Sequence, residues 1–197
     1  MDTKPVKTLA LLASGEGTNA QTLWRYFINN SRAKVWGVAC NRSKAGVYAR
    51  AEGDKVHHIQ FAPSPEGFAQ LLHTFLQDGV THVVLAGFLK AIPAEWVNTY
   101  PGKIINIHPS LLPKYGGMGM YGMHVHQAVK AAGEKESGIT IHTVTAVYDE
   151  GPILFQAKTT LAPSDDANAI RQKVQELEYR YFAQVVDHVV SGTPLPE

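Results

Sequence analysis

Short apolar runs rich in β-branched residues alternate with segments whose apolar residues recur at helical spacing, and this alternation leaves few folds open to the chain. The runs cover residues 6–13, 35–40, 57–61 and 82–86, and a further one opens at Ile104. Between them the pattern predicts helices over 20–29, 46–52 and 67–77, and a short one opening at Pro93. Strand, helical crossover and strand, repeated, make an open parallel sheet, because parallel neighbours need long crossovers and the helices cover both faces. Ligands of such a sheet gather beyond the carboxyl ends of its strands. The last third reads differently. Runs 139–147 and 153–158 flank Tyr148-Asp149-Glu150-Gly151-Pro152, which is hairpin turn chemistry. Ser164-Asp165-Asp166 then caps a long final helix reaching about Val190, with Gly192 and Pro194 ending it. The expected architecture is a single-domain α/β fold over residues 1–197: an open, mostly parallel twisted sheet with helices on both faces, a C-terminal β-hairpin and a long last helix.

Composition narrows the partners. With 197 residues and 45% hydrophobic content the chain can bury a substantial core. Its 18 basic against 17 acidic residues give a net charge of +1, so no basic footprint calls for nucleic acid. No apolar run approaches the roughly 20 residues that span a bilayer, and the polar start at residues 1–7 does not read as a signal peptide. A single cysteine, Cys40, allows no internal disulfide and reads as a core residue. A cytoplasmic protein acting on small molecules is expected; the oligomeric state is not set by the sequence. Nine histidines raise the question of a metal, but His57-His58 and His124-x-His126 lack the i, i+4 helical spacing of zinc peptidases, and one cysteine makes no thiolate cluster. No metal is expected.

The densest chemistry lies in Ile104-Ile105-Asn106-Ile107-His108-Pro109-Ser110-Leu111-Leu112-Pro113. Side chains alternate along a strand, so Asn106 and His108 project to one side, and Pro109 keeps His108 extended. An amide can donate to a developing oxyanion and an imidazole can move a proton near neutral pH, a pair suited to acyl-type transfer. The same two residues would also serve simply to satisfy turn backbone at a strand end. Gly15-x-Gly17-Thr18-Asn19, between the first strand and its helix, offers N–H groups to an anion. A phosphate-bearing substrate, a dinucleotide and a purely structural turn all fit that loop. The dinucleotide lacks its usual acid, because the second strand ends in Ala39-Cys40-Asn41-Arg42. Residues 114–122, rich in glycine and methionine, suit a mobile lid.

The final helix carries one anomaly. At about 100° per residue, Ile170, Val174, Leu177, Tyr181, Phe182, Val185, Val186 and Val189 fill one apolar arc, with Glu178 near its middle and Arg171 and Gln175 on the same side. A carboxylate there needs either an internal basic partner or a wet cavity.

Ser14-Gly15-x-Gly17-Thr18-Asn19, Leu85-Ala86-Gly87-Phe88, Asn106-x-His108-Pro109 and Asp149-x-Gly151-Pro152, in this order, resemble the phosphoribosylglycinamide formyltransferases, the folate-dependent enzymes of purine synthesis. The resemblance spans nearly the whole chain. It implies transfer of a formyl group from the co-substrate 10-formyltetrahydrofolate to the amine of glycinamide ribonucleotide, in the pathway to IMP, without a metal. It implies Asn106, His108 and Asp149 as the catalytic trio, with Asp149 orienting His108 or making it more basic. Gly17, Thr18 and Asn19 would hold the substrate phosphate, and Gln175 and Glu178 would contact the ribonucleotide from the last helix. Leu89, Lys90, Ala91, Ile92, Asn106, Thr145, Ala146, Val147, Tyr148 and Asp149 would hold the folate. Members often carry a basic folate contact near residues 63–66; this chain has none there, which leaves Lys90 to meet the folate glutamate. The related methionyl-tRNA formyltransferases and formyltetrahydrofolate hydrolases carry further domains for which 197 residues leave no room. A hydrolase-like enzyme and a non-catalytic nucleotide-binding module are the alternatives.

Overall fold

The computed structural model describes residues 5–195. Among the described residues, seven strands form one sheet: β1 (Lys7–Ala13), β2 (Ala33–Cys40), β3 (His58–Gln60), β4 (His82–Leu85), β5 (Ile104–His108), β6 (Glu136–Thr143) and β7 (Ile153–Thr160). Their spatial order is β3-β2-β1-β4-β5-β6-β7. β1 to β5 pair in parallel, and β6 and β7 join antiparallel. Six helices accompany them: α1 (Thr18–Phe27), α2 (Val47–Gly53), α3 (Pro65–Gln77), α4 (Ala94–Thr99), α5 (Met123–Ala131) and α6 (Ala167–Ser191). None is long and apolar enough to cross a membrane. The expected fold class is therefore the one observed.

The period of two in β1 builds both layers of the core. Leu9, Leu11 and Ala13 enter one cluster with residues of α1, α5 and α6, such as Leu23, Val125 and Phe182. Ala10 and Leu12 enter the other, with Phe68 and Phe75 of α3 and Trp96 of α4. After β1 the chain winds outward through β2 and β3, then returns to place β4 on the other side of β1. A crevice opens where the winding reverses, at the carboxyl ends of β1 and β4.

Element boundaries depart from the sequence expectation where side-chain chemistry intervenes. α3 starts at Pro65, two residues earlier than the apolar spacing predicts, because the Ser64 side chain accepts from the Gly67 N–H and Pro65 suits the first turn. α1 starts at Thr18 rather than residue 20, directly after Gly17, whose φ of 74° is left-handed. Thr18 and Asn19 are thus the helix's first turn. The largest departure is β6, which stops at Thr143 rather than running to 147. The Val144 N–H turns to the Ile104 carbonyl and the Thr143 N–H takes the Pro152 carbonyl. Residues 144–152 form a broad loop instead of a tight hairpin turn. Gly151 permits this closure: a Cβ there would lie 1.6 Å from the Thr143 carbonyl oxygen.

Candidate active site

A cavity of about 440 Å³ occupies the crevice, a size suited to small-molecule ligands. Its walls come from the β4–α4 loop, the end of β5, the loop before α5, the loop of residues 144–152, and one face of α6. Ser14, at the end of β1, braces the first of these. Its N–H donates to the Gly87 carbonyl at 3.1 Å, its Oγ accepts from the Leu89 N–H at 3.0 Å, and its hydroxyl donates to Asn41 Oδ1 at 2.7 Å.

At the end of β5, Asn106 and His108 both line the cavity, and Asp149 reaches them from the 144–152 loop. His108 is 4% exposed. Its Nε2 lies 2.7 Å from the Tyr115 carbonyl oxygen; a carbonyl only accepts, so Nε2 carries a hydrogen. Nδ1 then faces Asp149 Oδ2 at 3.4 Å. Oδ2 is itself held by the Gly117 N–H at 2.8 Å. Asp149 adopts a left-handed φ of 56° to present its carboxylate there.

The strand pairing adds a residue that the local sequence did not single out. Asn106 lies opposite His142 in the β5–β6 register. His142 Nδ1 is 2.9 Å from the Thr143 carbonyl oxygen, so it carries the hydrogen, and the bare Nε2 accepts from Asn106 Nδ2 at 3.1 Å. That bond sets the amide plane and leaves the second N–H of Asn106 free for a ligand. His142 Nε2 also lies 3.6 Å from Asp149 Oδ1.

Burial pushes the Asp149 carboxyl upward, but His142, His108 and the Gly117 N–H outweigh it and hold the group below its ordinary value. For His108 the balance is reversed. Burial lowers it, Asp149 and the Tyr115 carbonyl raise it, and His142 lowers it again, leaving it below its ordinary value. The expectation that Asp149 makes His108 more basic holds only in sign; desolvation of the imidazolium wins.

A formyl transferase family model matches residues 7–186. The chain belongs to this family. Phosphoribosylglycinamide formyltransferase of Haemophilus influenzae is 33% identical over 195 residues, covering 95% of this chain and 89% of that protein. The chloroplastic phosphoribosylglycinamide formyltransferase of Vigna unguiculata is 38% identical over 187 residues, covering 92% of this chain; the match spans 60% of the plant protein. Among solved structures, glycinamide ribonucleotide transformylase 1 from Symbiobacterium toebii superposes with a TM-score of 0.87 at 28% identity, covering 98% of this chain and 91% of that one.

Most of the residues expected to form the formyl transferase site meet at this cavity. Leu89, Lys90, Ala91 and Ile92 form one wall and Thr145, Ala146, Val147, Tyr148 and Asp149 another. Leu85, Phe88 and Val144 between them make the slot apolar. Asn19, Gln175 and Glu178 line the α6 side. Gly17 and Thr18 do not line it. A Cβ on Gly17 would meet Val47 Cγ2 at 2.4 Å, so this glycine serves the close packing of α1 on α2. Glu178 has no ion-pair partner among the described residues, against the reading of an internal salt bridge. Its Oε2 accepts from Asn19 Nδ2 at 2.9 Å. Burial raises its carboxyl and the Asn19 bond opposes, leaving it above its ordinary value.

Besides His142, the cavity wall holds His126 and Arg171. His126 is buried and pushed down to about 4, first by burial and then by the charges of Arg171 and His108. Among the described residues no group of three or more His, Cys, Asp or Glu is arranged to hold a metal ion.

Proposed function

We propose that this formyl transferase moves the formyl group of 10-formyltetrahydrofolate to the amine of glycinamide ribonucleotide, yielding the N-formyl product and tetrahydrofolate in the synthesis of IMP. Residues 1–197 act as one catalytic unit in a cytoplasmic setting, on small molecules rather than nucleic acid or membrane. The observation that carries this reading is the meeting of Asn106, His108 and Asp149 between an apolar slot and a polar α6 wall. The names of the curated relatives support glycinamide ribonucleotide as the acceptor and formyl as the group moved.

The slot formed by Leu85, Phe88, Ile92 and Val144 suits a flat pterin, and the polar edges of residues 145–149 suit its hydrogen-bonding rim. Folate supplies the formyl group and, after transfer, a nitrogen that must take up a proton. The chain supplies the rest. As the substrate amine attacks the formyl carbon, charge grows on the formyl oxygen, and the free N–H of Asn106 donates to it. His142 holds that amide in place, so little reorganisation is needed in the transition state. His108 is largely neutral near pH 7 and has its Nδ1 beside Asp149, ready to hold a proton from the amine. The carboxylate stabilises the imidazolium so formed. The proton then passes to the departing folate nitrogen. On the α6 wall Glu178 accepts from the ribose hydroxyls, with Asn19 beside it.

Incubation with folate labelled in the formyl carbon and with glycinamide ribonucleotide tests the reading. Label is expected in the N-formyl ribonucleotide, seen by mass spectrometry. Label found only in free formate would assign the chain to hydrolysis instead.

A further inference from the structure

A phosphomonoester brings a charge near −2 into whatever cavity accepts it, and burying that charge without a counter-charge costs several kcal/mol. The loop expected to cradle the ribonucleotide phosphate has no cation between Gly15 and Asn19, and two of its residues, Gly17 and Thr18, do not line the cavity. Of the described residues that do, only Lys90 and Arg171 are permanent cations. Lys90 stands on the wall assigned to folate, four residues after Ala86 on the β4–α4 loop. Arg171 stands on α6, the wall assigned to the ribonucleotide.

The helix places Arg171 with the other ribonucleotide candidates. Seven residues bring Arg171 to within about 20° of Glu178 around the axis, and four bring it to within about 40° of Gln175. Along the axis Arg171 and Glu178 are separated by about 10 Å. Side chains on a helix lean toward its N-terminus, so a ribose held at Glu178 lies back towards Arg171, and its 5′-phosphate together with the long arginine side chain spans the rest of that gap. Arg171 is exposed and has no ion-pair partner among the described residues. Beside it lies His126, whose buried Nδ1 lacks a hydrogen-bond partner among the described residues.

We infer that Arg171 is the cationic partner of the substrate phosphate and sets the preference for the phosphorylated over the phosphate-free glycinamide riboside. This rests on the proposed function and adds a specificity-determining residue to it. A guanidinium presents two parallel N–H donors to phosphate oxygens, so the contact is directional as well as electrostatic. Glu178 then holds the ribose end and Arg171 the phosphate end of one ligand laid along α6.

Titration calorimetry on the full chain decides it, using glycinamide ribonucleotide, the phosphate-free riboside and 10-formyltetrahydrofolate as separate titrants, with melting curves alongside. Arg171→Ala is expected to weaken the ribonucleotide about ten- to a hundred-fold. Its affinities for the riboside and folate, and its melting temperature, stay at wild-type values. Arg171→Lys, which keeps the charge but not the fork, falls between. Wild-type ribonucleotide affinity in Arg171→Ala overturns the inference and leaves the functional reading standing. Equal losses for ribonucleotide and riboside also overturn it, because the residue would then not act through the phosphate. Failure of the unsubstituted chain to bind the ribonucleotide at all would remove the functional reading, and this inference with it.

Discussion

At the scale of single residues the account rests on Asn106 and its neighbour across the sheet. Asn106→Ala removes a donor to charge that appears mainly in the transition state. It should lower kcat by about 10²–10³, roughly 3 kcal/mol, while ribonucleotide affinity is kept; unchanged turnover would take Asn106 out of the mechanism. The closest side-chain contact of His142 in the site is with that amide, at 3.1 Å; Asp149 Oδ1 stands farther off, at 3.6 Å. His142→Ala should therefore lower kcat with little change in either KM, and the double variant should be little slower than Asn106→Ala alone. Additive losses would mean that His142 acts independently. Much of this site was legible in the sequence, because strand alternation alone puts Asn106 and His108 on one side and Pro109 marks the strand's end. His142 was not legible. Its role depends on the register that sets residue 142 opposite residue 106, and no local pattern states which residues of two distant strands will face each other. Nor did the sequence show the balance at His108, where a carboxylate at 3.4 Å raises the imidazole less than burial lowers it.

Among the elements, α6 links core and site. Asp166 caps it, with its side chain accepting from the Ala169 N–H, and Gly192 closes it in a left-handed conformation. Phe182 and Val186 on its far part are fully buried in the core, whereas Glu178 opens on the cavity. The two halves should separate under mutation. Phe182→Ala leaves a large void and should cost about 3–5 kcal/mol of stability, read by denaturant unfolding. Glu178→Gln should melt near the wild-type temperature and bind the ribonucleotide more weakly, with folate affinity spared. A large drop in melting temperature with unchanged ribonucleotide affinity would assign Glu178 to structure. Helices with strong apolar periodicity were read from sequence to within a few residues. The 144–152 loop was not, since Val144 and Val147 look like strand residues. They leave the ladder because the chain turns to line the cavity, a tertiary demand that overrides β propensity.

For the whole molecule, two buried histidines outside the catalytic trio govern acid stability. Burial pushes His82 down to about 4, with Lys103 and Lys7 adding to the effect; His126 is likewise about 4. In the unfolded chain both titrate near 6.5. Between those values the unfolded state binds protons that the folded state refuses, so stability is full above the unfolded value and is lost as pH falls from about 6.5 towards 4. The loss should be about 2 kcal/mol for each histidine between pH 7 and pH 5. Glu178, raised in the fold, works weakly in the opposite sense. Melting curves at the two pH values should show the drop, and His82→Gln should shrink it; a melting temperature independent of pH over that range would contradict the assignment. The central claim for the molecule is that the trio passes a formyl group to an amine rather than to water. The direct measurement is the absorbance change on tetrahydrofolate formation, followed with and without glycinamide ribonucleotide. The account expects turnover that rises with ribonucleotide concentration to saturation and is negligible without it. Tetrahydrofolate release at the same rate in its absence would contradict it.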